Sequence, residues 1–122
     1  AMATMHIMER ENIPARSERL GKKLRACLDG LKDKHPLIGD VRGLGLMQGI
    51  ELVEDRRTKQ PAPKRANLLL DAMKARKVLI GKGGLYGNTM RIAPPMLCEE
   101  THLDELLHNL DGALTDVAKA TV

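Results

Sequence analysis

The sequence predicts an α+β domain in which a small, mainly antiparallel sheet is covered by helices on one face. Three segments carry apolar residues at helical spacing, each as a single stripe, and short β-like runs separate them. Glycines and prolines punctuate the chain between these segments, as expected where strands and helices alternate. A helix with one apolar stripe buries it against a sheet or another helix, so these elements are expected to form one packed unit.

Three helices are predicted from these stripes, over residues 14–32, 63–77 and 99–119. The first two place Pro14 and Pro63 in the opening turn, where a missing amide hydrogen is tolerated. All three helices are expected to cover the same face of the sheet. The third helix has the longest stripe, formed by Leu103, Leu106, Leu107, Leu110, Leu114 and Val117.

Strands are predicted in three regions between the helices. Residues 38–53 read as a short strand, a glycine turn and a longer strand over residues 47–53. Residues 78–80 are a brief apolar run typical of a buried strand, and residues 90–93 form a strand that two prolines terminate. The remaining segments are predicted loops: residues 54–63, which are polar and basic, and residues 81–88, which hold four glycines.

Composition and charge argue against a membrane protein and against a nucleic-acid-binding protein. No apolar run approaches the roughly 20 residues that span a bilayer, so no membrane association is expected. The net charge of +4 includes a basic segment at residues 56–82, which could indicate a nucleic-acid surface. However, Tyr86 is the only aromatic residue, so the segment has no aromatic side chains to stack on bases, and nucleic-acid binding is not expected.

The cysteines and histidines predict neither a metal site nor a redox motif. Cys27 and Cys98 lie far apart and lack CxxC spacing. Two free thiols in a reducing cytoplasm are therefore expected, although spacing alone leaves a disulfide open. The four histidines are scattered, with no acidic residues at metal-ligand spacing.

Two glycine-rich segments could be taken for phosphate-binding loops. Residues 81–84, Gly-Lys-Gly-Gly, could hold an anion on backbone amides, but they lack the spacing of a P-loop. Gly43, Gly45 and Gly49 lie in a segment that no helix follows directly, unlike a dinucleotide-binding motif. Sharp backbone turns explain both segments better. Ser17 lies on a predicted helix among charged residues and forms no nucleophile motif.

Arg91 is the residue most open to a functional interpretation. It lies in the middle of a predicted strand between Met90 and Ile92. A planar guanidinium held in such a position can bind a carboxylate through two parallel hydrogen bonds. Alternatively, the period-2 alternation of a strand simply turns Arg91 to solvent on the outer face of the sheet. Periodicity alone leaves both interpretations open.

Several segments resemble class III aminotransferases. Residues 42–52, RGLGLMQGIEL, are similar to the RGxGLMxGIEL segment of that family, and residues 90–95, MRIAPP, to its (L/I)RIAPP segment. The resemblance covers nearly the whole chain in the family's order, and residues 81–88 are most similar to its alanine–glyoxylate aminotransferase-like branch. The ENxxxR and Leu-Gly landmarks of the family correspond to Glu11, Asn12, Arg16, Leu20 and Gly21.

The resemblance implies part of a fold type I enzyme that uses pyridoxal phosphate to move an amino group between an amino acid or amine and a 2-oxo acid. It implies a homodimer or larger assembly. Residues 1–12 would be the helix that leaves a large domain, and residues 13–122 the C-terminal small domain. Arg91 takes the role of binding the substrate carboxylate. Structural roles are implied for Arg42, Gly43, Gly45, Gly49, Pro94 and Pro95.

The resemblance also implies what this chain lacks. The family's Schiff-base lysine, the acid that partners the pyridine nitrogen and the phosphate-binding residues all belong to the large domain, and Lys82 does not lie in the lysine's motif. The chain alone is therefore expected to be inactive. Residues 1–11 and part of residues 47–52 are expected to present apolar surface to the large domain, within a cytoplasmic enzyme.

Two hypotheses from other classes stand beside this one. The chain could be a free-standing module that uses Arg91 and its basic loop to hold an acidic metabolite or partner. It could also be a basic nucleic-acid-binding domain, whose binding would fall steeply with salt.

Overall fold

The structure is a computed structural model that describes residues 9–10, 12–78, 80–94 and 98–120. After the helical residues Glu9 and Arg10, the described chain alternates helices with strands. The elements are α1 (Ile13–Lys34), β1 (Ile38–Leu44), β2 (Met47–Asp55), β3 (Gln60–Pro61), α2 (Pro63–Ala75), β4 (Gly81–Gly83), β5 (Thr89–Ile92) and α3 (Glu100–Lys119). The predicted helix over residues 1–12 lies almost entirely outside the described residues.

The strands form one antiparallel sheet in the order β1-β2-β5-β4, and the short β3 pairs with the end of β2. Burial alternates along β5 and along β2 as far as Leu52, so the sheet has an inner face against the helices and an outer face. Ile50 and Met90 are fully buried on the inner face, while Arg42 and Arg91 are exposed on the outer face. The predicted α+β fold, with helices on one side of a small antiparallel sheet, is confirmed.

The hydrophobic core lies between the inner face of the sheet and the three helices. Burial of a whole leucine or isoleucine side chain contributes about 1.5–3 kcal/mol, so a core without aromatic rings is built from many such side chains. The fully buried members include Leu20, Leu24, Leu28, Ile38, Ile50, Leu52, Leu69, Met73, Met90, Ile92, Leu103 and Leu110.

The predicted strand at residues 78–80 is wrong. Val78 and Ile80 lie outside any strand, and Leu79 lies outside the described residues. The strand is β4, inside the segment predicted as a loop, because backbone groups of Gly81–Gly83 pair with β5 and need no side chains to do so. Val78 and Ile80 instead pack half-buried against the core as the chain leaves α2. The other predicted loop, at residues 54–63, likewise contains a strand, β3.

Helix α1 touches the turn between β1 and β2 through two glycines. A β-carbon on Gly21 would lie 2.4 Å from the carbonyl carbon of Gly45, which is closer than any side chain tolerates. Gly45 has a φ of 56°, a left-handed conformation that favours glycine. The absence of both side chains therefore lets the helix rest directly on the hairpin turn.

We expect Gly21→Ala to lower the free energy of unfolding by about 1–3 kcal/mol, because the added methyl group meets backbone atoms that cannot move aside. Urea denaturation of the chain measures this loss. Gly30 lies in the same helix with nothing within 4 Å of its β-carbon position, so Gly30→Ala is the matched control. That control should raise stability by up to about 1 kcal/mol through helix propensity. Equal effects of the two substitutions would contradict the close contact.

The C-terminal end of α1 is joined to α3 through Asp111. Its Oδ2 accepts a hydrogen bond from Lys34 Nζ at 2.8 Å, and its Oδ1 lies 2.6 Å from Nε2 of the buried His35. The hydrogen bond from Lys34, together with that to His35, holds the pKa of Asp111 below its usual value of 3.8. The carboxylate therefore stabilises the fold at neutral pH, and this contribution is lost only as the pH falls through that lowered pKa.

Candidate functional site

The candidate site is the outer face of the sheet around Arg91. Arg91 lies in β5 between Met90 and Ile92, both of which are buried on the inner face. Its own side chain is exposed. The strand alternation thus orients Arg91 outward, as the second of the two sequence interpretations predicted, and the carboxylate-binding role stays a prediction. β5 ends at Ile92, two residues before Pro94, and Pro95 lies outside the described residues.

Glycines flank Arg91 on both neighbouring strands. In register, Arg91 pairs with Gly49 of β2 and with Gly81 of β4. No side chain from either strand therefore stands directly beside the guanidinium on the outer face. The result is a strip of bare backbone with Arg91 in its middle, which we call the glycine strip (Gly49, Arg91 and Gly81).

Arg42 lies on the same face, on the far side of Gly49 from Arg91, and is hydrogen-bonded to two carboxylates. Its Nη1 donates to Glu51 Oε2 at 2.8 Å and to Asp40 Oδ2 at 2.9 Å. The hydrogen bonds to Glu51 and Asp40 raise the pKa of the Arg42 guanidinium above its usual value. Arg42 thus joins β1 to β2, a geometry that supports the structural role implied for it, and it occupies both of these carboxylates.

Arg91 differs from Arg42 in having no hydrogen bond or ion pair among the residues that the structure describes. Glu51 lies diagonally across from Arg91, since it pairs with Thr89 in register, and side chains at that diagonal spacing are within reach of each other. Its carboxylate is nevertheless directed to Arg42. The guanidinium of Arg91 is therefore available to an anion from outside the described chain.

Exposed apolar side chains lie at both ends of the sheet. Leu44 and Met47, at the β1–β2 turn, are 88% and 71% exposed. Leu85 and Tyr86, at the β4–β5 turn, are 90% and 61% exposed. The antiparallel register places these two turns at opposite ends of the sheet, with the glycine strip between them. Such exposed apolar groups are typical of surfaces that contact another part of a protein.

The expected apolar surface at residues 47–52 is narrower than the sequence suggested. Met47 is exposed, but Ile50 and Leu52 are fully buried on the inner face because strand alternation reverses their direction. The other part of that surface, residues 1–11, lies almost entirely outside the described residues.

Two buried amides that the sequence analysis missed hold the ends of the sheet. Gln48 is 4% exposed, and its Nε2 donates to the Gly45 carbonyl at 2.7 Å within the β1–β2 turn. Asn88 is 2% exposed, and its Nδ2 donates to the Leu52 carbonyl at 2.8 Å. Leu52 in turn donates its amide to the Asn88 carbonyl at 2.8 Å. Alternation along β2 could have identified Gln48 as an inward polar residue, whereas the pairing of Asn88 depends on tertiary contacts.

Two arginines of the basic segment, Arg56 and Arg65, bind carbonyl groups within the chain. Arg56 donates to the carbonyls of His35 and Ile38, at the junction of α1 and β1, and to that of Lys32. Arg65 donates to the Val117 carbonyl at 2.7 Å, at the C-terminal end of α3. Carbonyls at a helix C-terminus attract cations, so these arginines stabilise helix ends.

The remaining chemical groups form no second site among the described residues. Both cysteines are free, and burial raises the pKa of the Cys98 thiol, which disfavours the reactive thiolate. No group of three or more histidine, cysteine or acidic side chains in the described ranges could hold a metal ion. Within those ranges no helix is long and apolar enough to cross a membrane.

The fold and the three strands that carry the glycine strip can be compared with known proteins. The family model for aminotransferase class-III matches residues 1–114. The chain is 41% identical over 114 residues to alanine–glyoxylate aminotransferase 2 homolog 2, mitochondrial, of Arabidopsis thaliana, covering 93% of this chain and 24% of that protein. It is 43% identical over 122 residues to a taurine–pyruvate aminotransferase of Bilophila wadsworthia, covering 96% of this chain and 27% of that protein.

A solved structure agrees with these sequence matches. A Bacillus anthracis aminotransferase superimposes with a TM-score of 0.89 at 32% identity, over 94% of this chain and 27% of that one. The fold is therefore that of part of an aminotransferase. This chain belongs to the class III aminotransferase family, and it spans about a quarter of the length of the curated relatives it matches.

The family implies pyridoxal phosphate as cofactor, and the described residues do not fit that group on their own. No lysine among them is buried, as a lysine bonded to a cofactor in a closed site would be. Lys82, the lysine closest in register to Arg91, donates a hydrogen bond to Asn67 Oδ1 and so has its own structural partner.

Proposed function

We propose that this chain is the C-terminal small domain, residues 13–122, of a pyridoxal-phosphate-dependent aminotransferase and that Arg91 binds the carboxylate of its substrates. One observation carries the proposal. Arg91 is exposed on the outer face and has no anionic partner in the described chain, while Arg42 holds both Glu51 and Asp40. Because both acids are hydrogen-bonded to Arg42, the guanidinium of Arg91 can bind an external carboxylate.

The geometry of arginine suits this task. A guanidinium offers two parallel N–H groups that match the two oxygens of a carboxylate, which fixes both the position and the orientation of the bound molecule. Glyoxylate and pyruvate, which appear in the names of the two relatives, are both 2-oxo acids with a carboxylate beside the carbonyl group. A small 2-oxo acid held by Arg91 would have that carbonyl at a fixed distance from the arginine.

The rest of the enzyme would cover the outer face. The exposed Leu44, Met47, Leu85 and Tyr86 lie at the two ends of the sheet and would bury apolar area against a large domain. Covering this face would exclude water from Arg91 and strengthen its attraction for a carboxylate. The cofactor's lysine and phosphate-binding groups would belong to that large domain. We further propose a homodimer or larger assembly and a cytoplasmic location.

The complete enzyme that contains this chain is expected to transfer an amino group from alanine to glyoxylate or from taurine to pyruvate. The 122-residue chain alone should form no product, because it carries no lysine placed for the cofactor. Chromatographic detection of newly formed glycine or alanine, with pyridoxal phosphate added to both samples, measures the difference.

Product formation by the chain alone would contradict the proposal that a large domain supplies the cofactor-binding residues. Racemisation or elimination by the complete enzyme, without amino transfer to any 2-oxo acid, would contradict the proposed reaction. Tight carboxylate binding by the chain alone, in the absence of any transfer by the complete protein, would favour a free-standing binding module instead.

A further inference from the structure

The glycine strip contains two glycines that backbone conformation does not explain. Gly49 and Gly81 lie within strands, where glycine is usually destabilising by roughly 0.5–1 kcal/mol relative to alanine. Neither has the positive φ that distinguishes Gly43, Gly45, Gly84 and Gly87. Their lack of a side chain therefore calls for an explanation from their surroundings.

The surroundings of the two glycines differ. A β-carbon on Gly81 would lie 3.2 Å from Nε of Arg91, closer than an ordinary van der Waals contact, and 3.4 Å from Nη2. A β-carbon on Gly49 would meet nothing nearer than the Met90 carbonyl and the Thr89 methyl group, both at an ordinary 3.6 Å. The side chain of Arg91 therefore leans away from β2 and lies over Gly81, at the edge strand β4.

We propose that Gly81 is a positioning residue for Arg91. The space that a side chain at position 81 would fill is the space in which the guanidinium lies. Gly81 thus sets the direction of the guanidinium. This inference rests on the proposed role of Arg91 in binding the substrate carboxylate.

A small displacement of the guanidinium is enough to matter. Two parallel hydrogen bonds to a carboxylate require the guanidinium and the carboxylate to share a plane, and binding groups must be held within about 0.5 Å and 10–20° of the productive geometry. A methyl group at position 81 would push Nε by a few tenths of an ångström or force another rotamer. Either change tilts the plane of the guanidinium relative to the carboxylate that it binds.

The test is Gly81→Ala in the complete enzyme, compared with two matched variants. Gly49→Ala adds the same methyl group on the opposite side of Arg91 at ordinary contact distances. Gly83→Ala adds it on the same edge strand, where nothing lies within 4 Å. All three positions accept alanine without backbone strain, so all three variants should fold, and urea denaturation checks this.

We expect Gly81→Ala to raise the KM for the 2-oxo acid about tenfold, equivalent to about 1.4 kcal/mol, with less than a threefold change in kcat. The inhibition constant of propionate, an unreactive carboxylate, should rise in parallel. Gly83→Ala should change both constants less than twofold, and Gly49→Ala should raise them less than Gly81→Ala does. A purely structural defect would instead lower stability or kcat.

A second comparison separates this inference from the proposed function. In an Arg91→Lys background, Gly81→Ala should add less than a twofold loss, because the guanidinium that it displaces is absent. Equal effects of Gly81→Ala and Gly49→Ala, or equal losses in both backgrounds, would overturn the positioning role alone. No effect of Arg91→Lys by itself would overturn the proposed function.

Discussion

Arg91→Lys in the complete enzyme is expected to lower kcat/KM for carboxylate-bearing substrates by about ten- to a thousandfold, a loss of about 1.4–4 kcal/mol. Lysine keeps the positive charge but offers a single ammonium in place of the planar fork. Because the proposed large domain, and not this chain, would carry the lysine that binds the cofactor, cofactor content should not change. Steady-state kinetics and the absorbance of bound cofactor measure the two properties separately.

Arg57→Lys is the matched control for this substitution. Arg57 is an exposed arginine on the turn between β2 and β3, and its backbone amide, not its side chain, binds Asp55. That substitution should leave kcat/KM within twofold of the original value. If Arg91→Lys and Arg57→Lys have the same kcat/KM, Arg91 does not bind the substrate carboxylate.

Gly43→Ala is expected to lower the free energy of unfolding by about 2–4 kcal/mol, from overpacking and backbone strain together. Gly43 has a φ of 150°, and a β-carbon there would lie 2.2 Å from the Met47 carbonyl oxygen and 2.7 Å from Gln48 Cα. Both neighbours are backbone atoms of the paired strand, so neither can move without breaking the hairpin. Urea denaturation of the chain measures the loss.

Gly45→Ala is the control within the same turn. Gly45 has a φ of 56° but nothing within 4 Å of its β-carbon position, so alanine there should cost only the left-handed strain of about 1–2 kcal/mol. A smaller loss for Gly43→Ala than for Gly45→Ala would contradict the crowding at Gly43. The two losses of stability together separate the cost of steric crowding from the cost of left-handed backbone strain in this hairpin.

The helices could be predicted from sequence because each carries a single apolar stripe. The stripe of α3 begins at Leu103 and ends at Val117, and both residues are buried as helical spacing required. β4 could not be predicted in the same way. Gly81–Gly83 has no side chains that alternate in polarity, so only its backbone pairing with β5 identifies it as a strand.

Some features of the candidate site could likewise be predicted from sequence, and others could not. Strand alternation alone indicates that Arg91 faces outward and that Asp40 lies on the same face as Arg42. It cannot indicate that Glu51 reaches Arg42, or that Gly81 lies beneath Arg91, because those contacts depend on the register between strands. Family resemblance supplied the role of Arg91, and the structure adds the neighbours that would make that role possible.

The central claim is that Arg91 binds a carboxylate, and the inhibition constant of propionate against the 2-oxo acid tests it most directly. Propionate carries the carboxylate but no carbonyl group, so its binding reports that contact without any chemical step. We expect an inhibition constant at least tenfold higher in Arg91→Lys than in the original enzyme, with that of Arg57→Lys unchanged. Equal inhibition constants in the original enzyme and in Arg91→Lys would contradict it.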